Sequence, residues 1–186
     1  MKKVIITLLL SMCSSMIFAQ VKVINISPRG QIYIEVALPN NGFVIMDQYG
    51  SVKRMYAPEL RVDRYSDFRS YEAGKIEQIG DLKFKYHSDF WDYESGKLAS
   101  IGDIKFEYYS NFRDSESGKI KSIGGVPIAY YSDFRDYESG KLKSIGSHKY
   151  SYYSSMNSSY SGTMQSGVLD FTQNEIRFII DARRRR

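Results

Sequence analysis

A phrase of 22 residues is written four times in succession, and its period restricts this chain more than any other feature. "YYSDFRDYESGKLKSIG" at 130–146 repeats "YYSNFRDSESGKIKSIG" at 108–124 and "YHSDFWDYESGKLASIG" at 86–102, with a looser copy starting at Tyr65. Gly74, Gly96, Gly118 and Gly140 keep the spacing of 22, and so do Phe68, Phe90, Phe112 and Phe134. The pairs Ile79-Gly80, Ile101-Gly102, Ile123-Gly124 and Ile145-Gly146 keep it too. A fixed period of this size marks stacked units, each touching mainly its neighbours. "YYSSMNSSYSGTM" at 152–164 continues the series in decayed form, with Met156 in the Phe slot and Gly162 in the Gly slot. "DQYGSVKRM" at 47–55 reads as half a copy and "SPRGQIYI" at 27–34 as one more. Degenerate ends on a regular middle suit units that cap a stack.

Each copy predicts a β-hairpin. In "KLASIGDIKFEYYS" at 97–110, Gly102-Asp103 separates two apolar-periodic runs. A two-residue connection beginning with Gly suits a tight hairpin, because Gly accepts the positive φ that such turns require. The following run alternates, with Ile104, Phe106 and Tyr108 on one face and Lys105, Glu107 and Tyr109 on the other. Its β-branched and aromatic content favours strands, and no 3.6-residue stripe follows the amino-terminal 19 residues. The predicted fold is therefore all-β: tandem hairpins of period 22 in an extended antiparallel meander, with a closed barrel or β-solenoid as alternatives. Equivalent residues then recur on every second strand, roughly 9–10 Å apart.

The two-residue turn pairs Ile101 with Ile104 and sets Leu98 on the opposite face. Leu98, Ile76, Ile120 and Leu142 then need a cover, and Phe90, Phe112 and Phe134 with Tyr109 and Tyr131 are the rings to supply it. On this expectation both faces of the sheet carry apolar material. The connection "SDFRDYESG" is rich in turn formers, and its Gly is expected in the left-handed region, restarting the strand.

The first 19 residues, "MKKVIITLLLSMCSSMIFA", join a short positive region to a brief apolar run. This is the pattern of a secretory signal peptide cut after Ala19, and the run is shorter than the roughly 20 residues of a spanning helix. Leu10-Ser11-Met12-Cys13 loosely matches a lipobox, so a lipoprotein anchored through Cys13 is the alternative. Cys13 is the only cysteine, and a chain cut after Ala19 has no disulfide chemistry. The expected location is periplasmic, outer-surface or secreted. The organisation reads as signal peptide 1–19, amino-terminal strands and a degenerate cap 20–64, four repeats 65–151, a degenerate repeat and capping hairpin 152–182, and a basic tail 183–186.

The formal charge of +5 falls to +3 without Lys2 and Lys3, and to −1 without Arg183, Arg184, Arg185 and Arg186. The body is near neutral, its aromatics are interleaved with Asp and Glu, and a nucleic-acid partner is not expected.

The phrase resembles an uncharacterised group of exported bacterial proteins that carry the same tandem repeat after a signal peptide. The likeness covers residues 65–164 and implies architecture and export, without a site. At lower resolution, Tyr130-Tyr131, Gly140, Leu142 and Gly146 resemble choline- and glucan-binding hairpin repeats. Those carry a Trp in each unit, whereas here Trp91 is the only one. Tyr137-Glu138-Ser139-Gly140-Lys141-Leu142 is similar to the YD repeats of large secreted toxins, one residue short.

The search for chemistry yields few unique groups. His87 and His148 are the only histidines, and each stands in a repeat slot otherwise filled by another residue type. No zinc-ligand spacing, phosphate loop or nucleotide fingerprint is present, so no catalytic residue and no cofactor are assigned. Asp133, Asp136 and Glu138 before Gly140, with Asp89, Asp92 and Glu94 before Gly96, raise a calcium site. Turn capping by Asp and Ser accounts for the same residues, and no metal is assigned. The remaining candidate is an aromatic binding surface: Trp91, Tyr109, Phe112, Tyr131, Phe134 and Tyr137. The expected function is a non-enzymatic interaction or structural module of the cell envelope, its partner a glycan or an envelope protein. The alternatives are a carbohydrate or cell-wall binding module using the aromatic ladder, and a small secreted hydrolase.

Overall fold

The computed structural model describes residues 23–26, 32–156 and 159–180. The signal-peptide and Cys13 expectations, the tail Arg183–Arg186, and most of the copy expected at 27–34 lie outside the described residues.

Among those residues the chain is all-β. In order, the strands are β1 (Val23–Ile26), β2 (Ile32–Ala37), β3 (Phe43–Asp47), β4 (Val52–Tyr56), β5 (Val62–Arg64), β6 (Ile76–Ile79), β7 (Leu82–Tyr86), β8 (Leu98–Ile101) and β9 (Ile104–Tyr108). They continue as β10 (Ile120–Ile123), β11 (Val126–Tyr130), β12 (Leu142–Ile145), β13 (His148–Lys149), β14 (Ser151–Tyr152), β15 (Met164–Ser166), β16 (Asp170–Gln173) and β17 (Ile176–Ile180). β5 to β13 form the expected antiparallel meander, each strand pairing with its sequence neighbour. Neither this sheet nor its partner closes into a barrel. Ile101 pairs with Ile104 across the Gly102-Asp103 turn, and Gly102 takes φ +55° there.

The sheet is not free-standing. A second sheet runs in the order β16-β17-β1-β2-β3-β4. It joins the two ends of the chain, because β1 pairs with β17 in parallel. Its inward residues Ile24, Ile34, Val44 and Phe178 share one buried cluster with Phe84, Phe106, Ile120 and Ile128 of the repeats. The result is a two-layer sandwich with a single core. Its hairpin turns are tied to the meander: the Ile120 amide donates to the Gln48 carbonyl at 2.8 Å, and Asn174 Nδ2 donates to the Gly124 carbonyl at 2.9 Å. Gly50 lies against the Tyr108 ring so closely that a Cβ would collide with the phenol. Residues 47–55, which read as half a copy, form the turn and outer strand of the β3–β4 hairpin in this second sheet.

The expected facing of Leu98 is corrected by a β-bulge. Tyr86 pairs with Leu98 but Lys85 pairs with Ser100, leaving Ala99 as an extra residue. Glu77, Lys121 and Lys143 are extra at the same place in the other copies. One inserted residue restores the phase of everything before it. Leu98 therefore lies on the same face as Ile101, and both are buried. Ile76 with Ile79, Ile120 with Ile123, and Leu142 with Ile145 behave alike. The large apolar residues of the repeat strands turn to one face, and the outer face carries exposed Lys83, Lys85, Lys105, Glu107 and Lys121. No second apolar face needs a cover, which leaves the loop rings without the work expected of them.

Candidate functional site

Each connection between hairpins is built from the same contacts. Gly74, Gly96, Gly118 and Gly140 take φ between +64° and +67°, and the amide of each donates to a carbonyl at the start of its own connection, as Gly96 does to His87 at 3.0 Å. The lysine that follows extends over a tyrosine ring and donates to the glycine carbonyl of the next copy. Lys75 reaches Gly96 at 2.5 Å, Lys97 reaches Gly118 at 2.7 Å, Lys119 reaches Gly140 at 2.6 Å and Lys141 reaches Gly162 at 2.7 Å. The ammonium groups lie 4.8–5.1 Å from the rings of Tyr86, Tyr108, Tyr130 and Tyr152, a cation–π distance. Burial draws Lys75, Lys97 and Lys119 down from the ordinary lysine pKa.

Tyrosine does the complementary work. Tyr108, Tyr130 and Tyr152 donate from buried hydroxyls to the carbonyls of Leu98, Ile120 and Leu142, at the bulges where the ladder is interrupted. Tyr65, Tyr109 and Tyr131 donate to Phe84, Ile128 and Tyr150 in the next copy at 2.9–3.0 Å. In the slot of these three stands His87, whose Nε2 lies 3.2 Å from the Phe106 carbonyl and does the same work. The ring of each packs edge-on against Tyr86, Tyr108, Tyr130 or Tyr152, with centroids 5.8–6.1 Å apart.

These contacts divide the expected aromatic surface. Tyr109 and Tyr131 are packing residues whose hydroxyls are engaged. Tyr137 is half-buried and accepts from Arg135 at 3.2 Å. The loop phenylalanines stand in water: Phe68 is 90% exposed, Phe90 79%, Phe112 89% and Phe134 88%. Trp91 is exposed and packs edge-on against Phe90 with centroids 4.9 Å apart. Thus Trp91, Phe112 and Phe134 remain as surface, joined by Phe68 and Phe90 and, in the decayed copy, by exposed Met156. The row follows one edge of the meander at the repeat spacing.

The carboxylates are turn formers. Ser95 donates to Asp89 at 3.0 Å, and Ser139 donates to Asp133. Glu72, Glu116 and Glu138 face Arg69, Arg113 and Arg135 at 3.4–3.8 Å. In the copy with Trp91 in place of Arg, Glu94 faces His87 Nδ1 at 3.6 Å instead. No group of three potential metal ligands occurs among the described residues. His148 packs on Phe171, centroids 4.0 Å apart.

One further feature was invisible in the sequence. A cleft of about 700 Å³ opens where β4 and its turn face β5, β7 and the bases of the first two connections. Lys53 and Arg54 contribute one wall; Arg64, Lys75 and Lys97 contribute the other. The walls are brought together by the second sheet, and no local pattern in either segment announces the other.

No family model matches this chain, and no curated protein or solved structure is significantly similar to it.

Proposed function

We propose that this chain is an exported, non-enzymatic β-repeat protein acting as an interaction or structural module of the cell envelope. The observation that carries the proposal is the row of Phe68, Phe90, Phe112 and Phe134, each at least 79% exposed. The sandwich core is complete without these rings, and large apolar groups gathered on an exposed surface mark interaction sites. Export is supported by the composition of residues 1–19. The non-enzymatic reading is supported by both histidines being engaged in packing or backbone contacts.

The regular spacing of the row, roughly 9–10 Å for alternate strands, favours a second reading as a carbohydrate or cell-wall binding module. That interval is close to the disaccharide length of an extended β-linked polysaccharide. The rings would stack on sugar faces while the exposed Asp89, Asp92, Asp133 and Asp136 accept from hydroxyls.

The test is binding of the purified protein to a glycan array and to solubilised envelope proteins, beside the double variant Phe112→Ser/Phe134→Ser. Glycan binding lost in the variant supports the carbohydrate module. Envelope-protein binding lost in the variant supports the interaction module. Equal binding by both proteins on both supports removes the aromatic row from consideration. A chain found in the cytoplasm with Lys2 and Lys3 retained, by mass measurement of cell fractions, refutes export.

A further inference from the structure

The cleft between β4 and the first two repeats is cationic on both walls, and we propose that it binds an anionic sugar, a carbohydrate bearing carboxylate or phosphate groups. Of the charged residues lining it, all five are basic: Lys53, Arg54, Arg64, Lys75 and Lys97. Asp47, just outside the lining, pairs with Lys53 at 2.9 Å. Arg54, Arg64, Lys75 and Lys97 make no ion pair among the described residues. This concentration arises in a body whose formal charge is near zero, so it is not a by-product of a generally basic chain.

Three of the cations are held in place without being neutralised. Arg64 donates to the Gly74 carbonyl at 2.7 Å, Lys75 to Gly96 and Lys97 to Gly118. A carbonyl fixes an ammonium or guanidinium group but supplies only a partial charge. Burial lowers the pKa of Lys75 and Lys97, and the carboxylates acting on them only partly oppose it. An anion entering the cleft supplies the missing counter-charge in a space already partly withdrawn from water, where such contacts are strongest.

The rest of the lining selects a sugar over a bare ion. Exposed Tyr49 offers a ring to stack on, Ser51 offers a hydroxyl, and Val52 and Met55 are apolar. The volume falls in the usual range of small-ligand sites, large enough for an oligosaccharide of a few rings. A nucleic-acid backbone is disfavoured, because Asp67, Asp89 and Asp92 stand exposed in the same two connections. The proposal does not rest on the phenylalanine row.

The experiment is isothermal titration calorimetry of the full chain at low salt with four probes: trigalacturonate, glucose 6-phosphate, inorganic phosphate and neutral maltotriose. Trigalacturonate or glucose 6-phosphate is expected to bind, and whichever binds identifies the anion. Maltotriose should bind roughly tenfold more weakly or not at all, and Arg54→Glu should weaken the anionic sugar by roughly tenfold or more. Arg54 is exposed and without a partner, so its replacement leaves the fold intact; Lys105→Glu on the outer face is the control and should stay within about twofold. Phe112→Ser/Phe134→Ser should bind the anionic sugar unchanged, which separates this site from the aromatic row. Failure of both anionic sugars to bind, indifference to Arg54→Glu, or inorganic phosphate binding as tightly as either sugar would each overturn the proposal.

Discussion

Lys119 donates from Nζ to the carbonyl of Gly140, 21 residues ahead, at 2.6 Å, and to its own loop at the Ser115 carbonyl at 2.6 Å. One buried ammonium thus ties two successive connections together, with the Tyr130 ring at 4.8 Å beneath it. The contact recurs at Lys75, Lys97 and Lys141 and forms a spine along the loop side of the meander. The sequence phrase "SGK" is conspicuous because this lysine is part of the joint between units.

Replacing Lys119 by Met keeps the aliphatic stem and removes the charge, leaving the buried Ser115 carbonyl and the partly buried Gly140 carbonyl without this donor. The expected loss is about 2–3 kcal/mol, read by urea unfolding. Lys105→Met on the exposed outer face should stay within about 0.5 kcal/mol. Equal effects of the two substitutions would show that the spine contributes no stability.

Alkaline pH should unfold the protein through its tyrosines. Burial pushes Tyr86 and Tyr150 up to about 12 and raises Tyr108, Tyr130 and Tyr152 as well. Unfolded phenols ionise near 10, so above that pH the folded state retains protons that the unfolded chain has released. The stabilisation is complete below pH 10 and is lost as pH rises toward and past 12. Lys75, Lys97 and Lys119 have the opposite sign: lowered by burial, their penalty fades as pH approaches the unfolded value of 10.5. They are outnumbered by the tyrosines. The midpoint in urea should fall between pH 10 and 12, with the buried tyrosinate absorbance appearing only on unfolding. Ionisation of all sixteen tyrosines near pH 10 in a still-folded chain would contradict this.

Removing half a copy should do more harm than removing a whole one. Excising Tyr108–Ala129 keeps every remaining strand in phase and brings Leu142 and Gly146 into the places of Ile120 and Gly124, opposite Gln48 and Asn174. That variant should fold with a shorter sheet and reduced stability. Deleting Tyr108–Gly118 instead joins Glu107 directly to Lys119, so β9 runs straight into β10 with no connection in which to turn back. No cooperative unfolding is expected of this second variant. Circular dichroism with denaturant titration distinguishes the two, and survival of only the half-copy deletion would reject the 22-residue repeat as the structural unit.

Two phenylalanines six residues apart should respond oppositely. Phe106→Ala opens the core and should cost about 3–5 kcal/mol. Phe112→Ala removes a ring standing in water and should change stability by less than about 0.5 kcal/mol. Comparable destabilisation by both would mean that the loop ring is a packing residue.

Much of the local design was legible in the sequence. The period named the unit, Gly102 and its equivalents named the hairpin turns, and the alternation Ile104, Phe106, Tyr108 named the buried face, because turn chemistry and strand pleat are properties of a few adjacent residues. The bulge was also written there, in apolar pairs such as Leu98 and Ile101 that stand three apart within a strand. Strict alternation assigned them to opposite faces, and with that error Phe112 and Phe134 were given a core to cover. What no local pattern held was the second sheet. β1 meets β17 from the far end of the chain, and its partner is chosen by burial of Ile24 and Phe178 against the repeat core. Pairings over such separations are decided only when the whole core assembles. The cleft follows from the same event: Arg54 and Lys75 share a site because the second sheet packs one segment against another. The repetition alone determined the rungs, and the packing of non-repeated ends upon them decided which surfaces remain open.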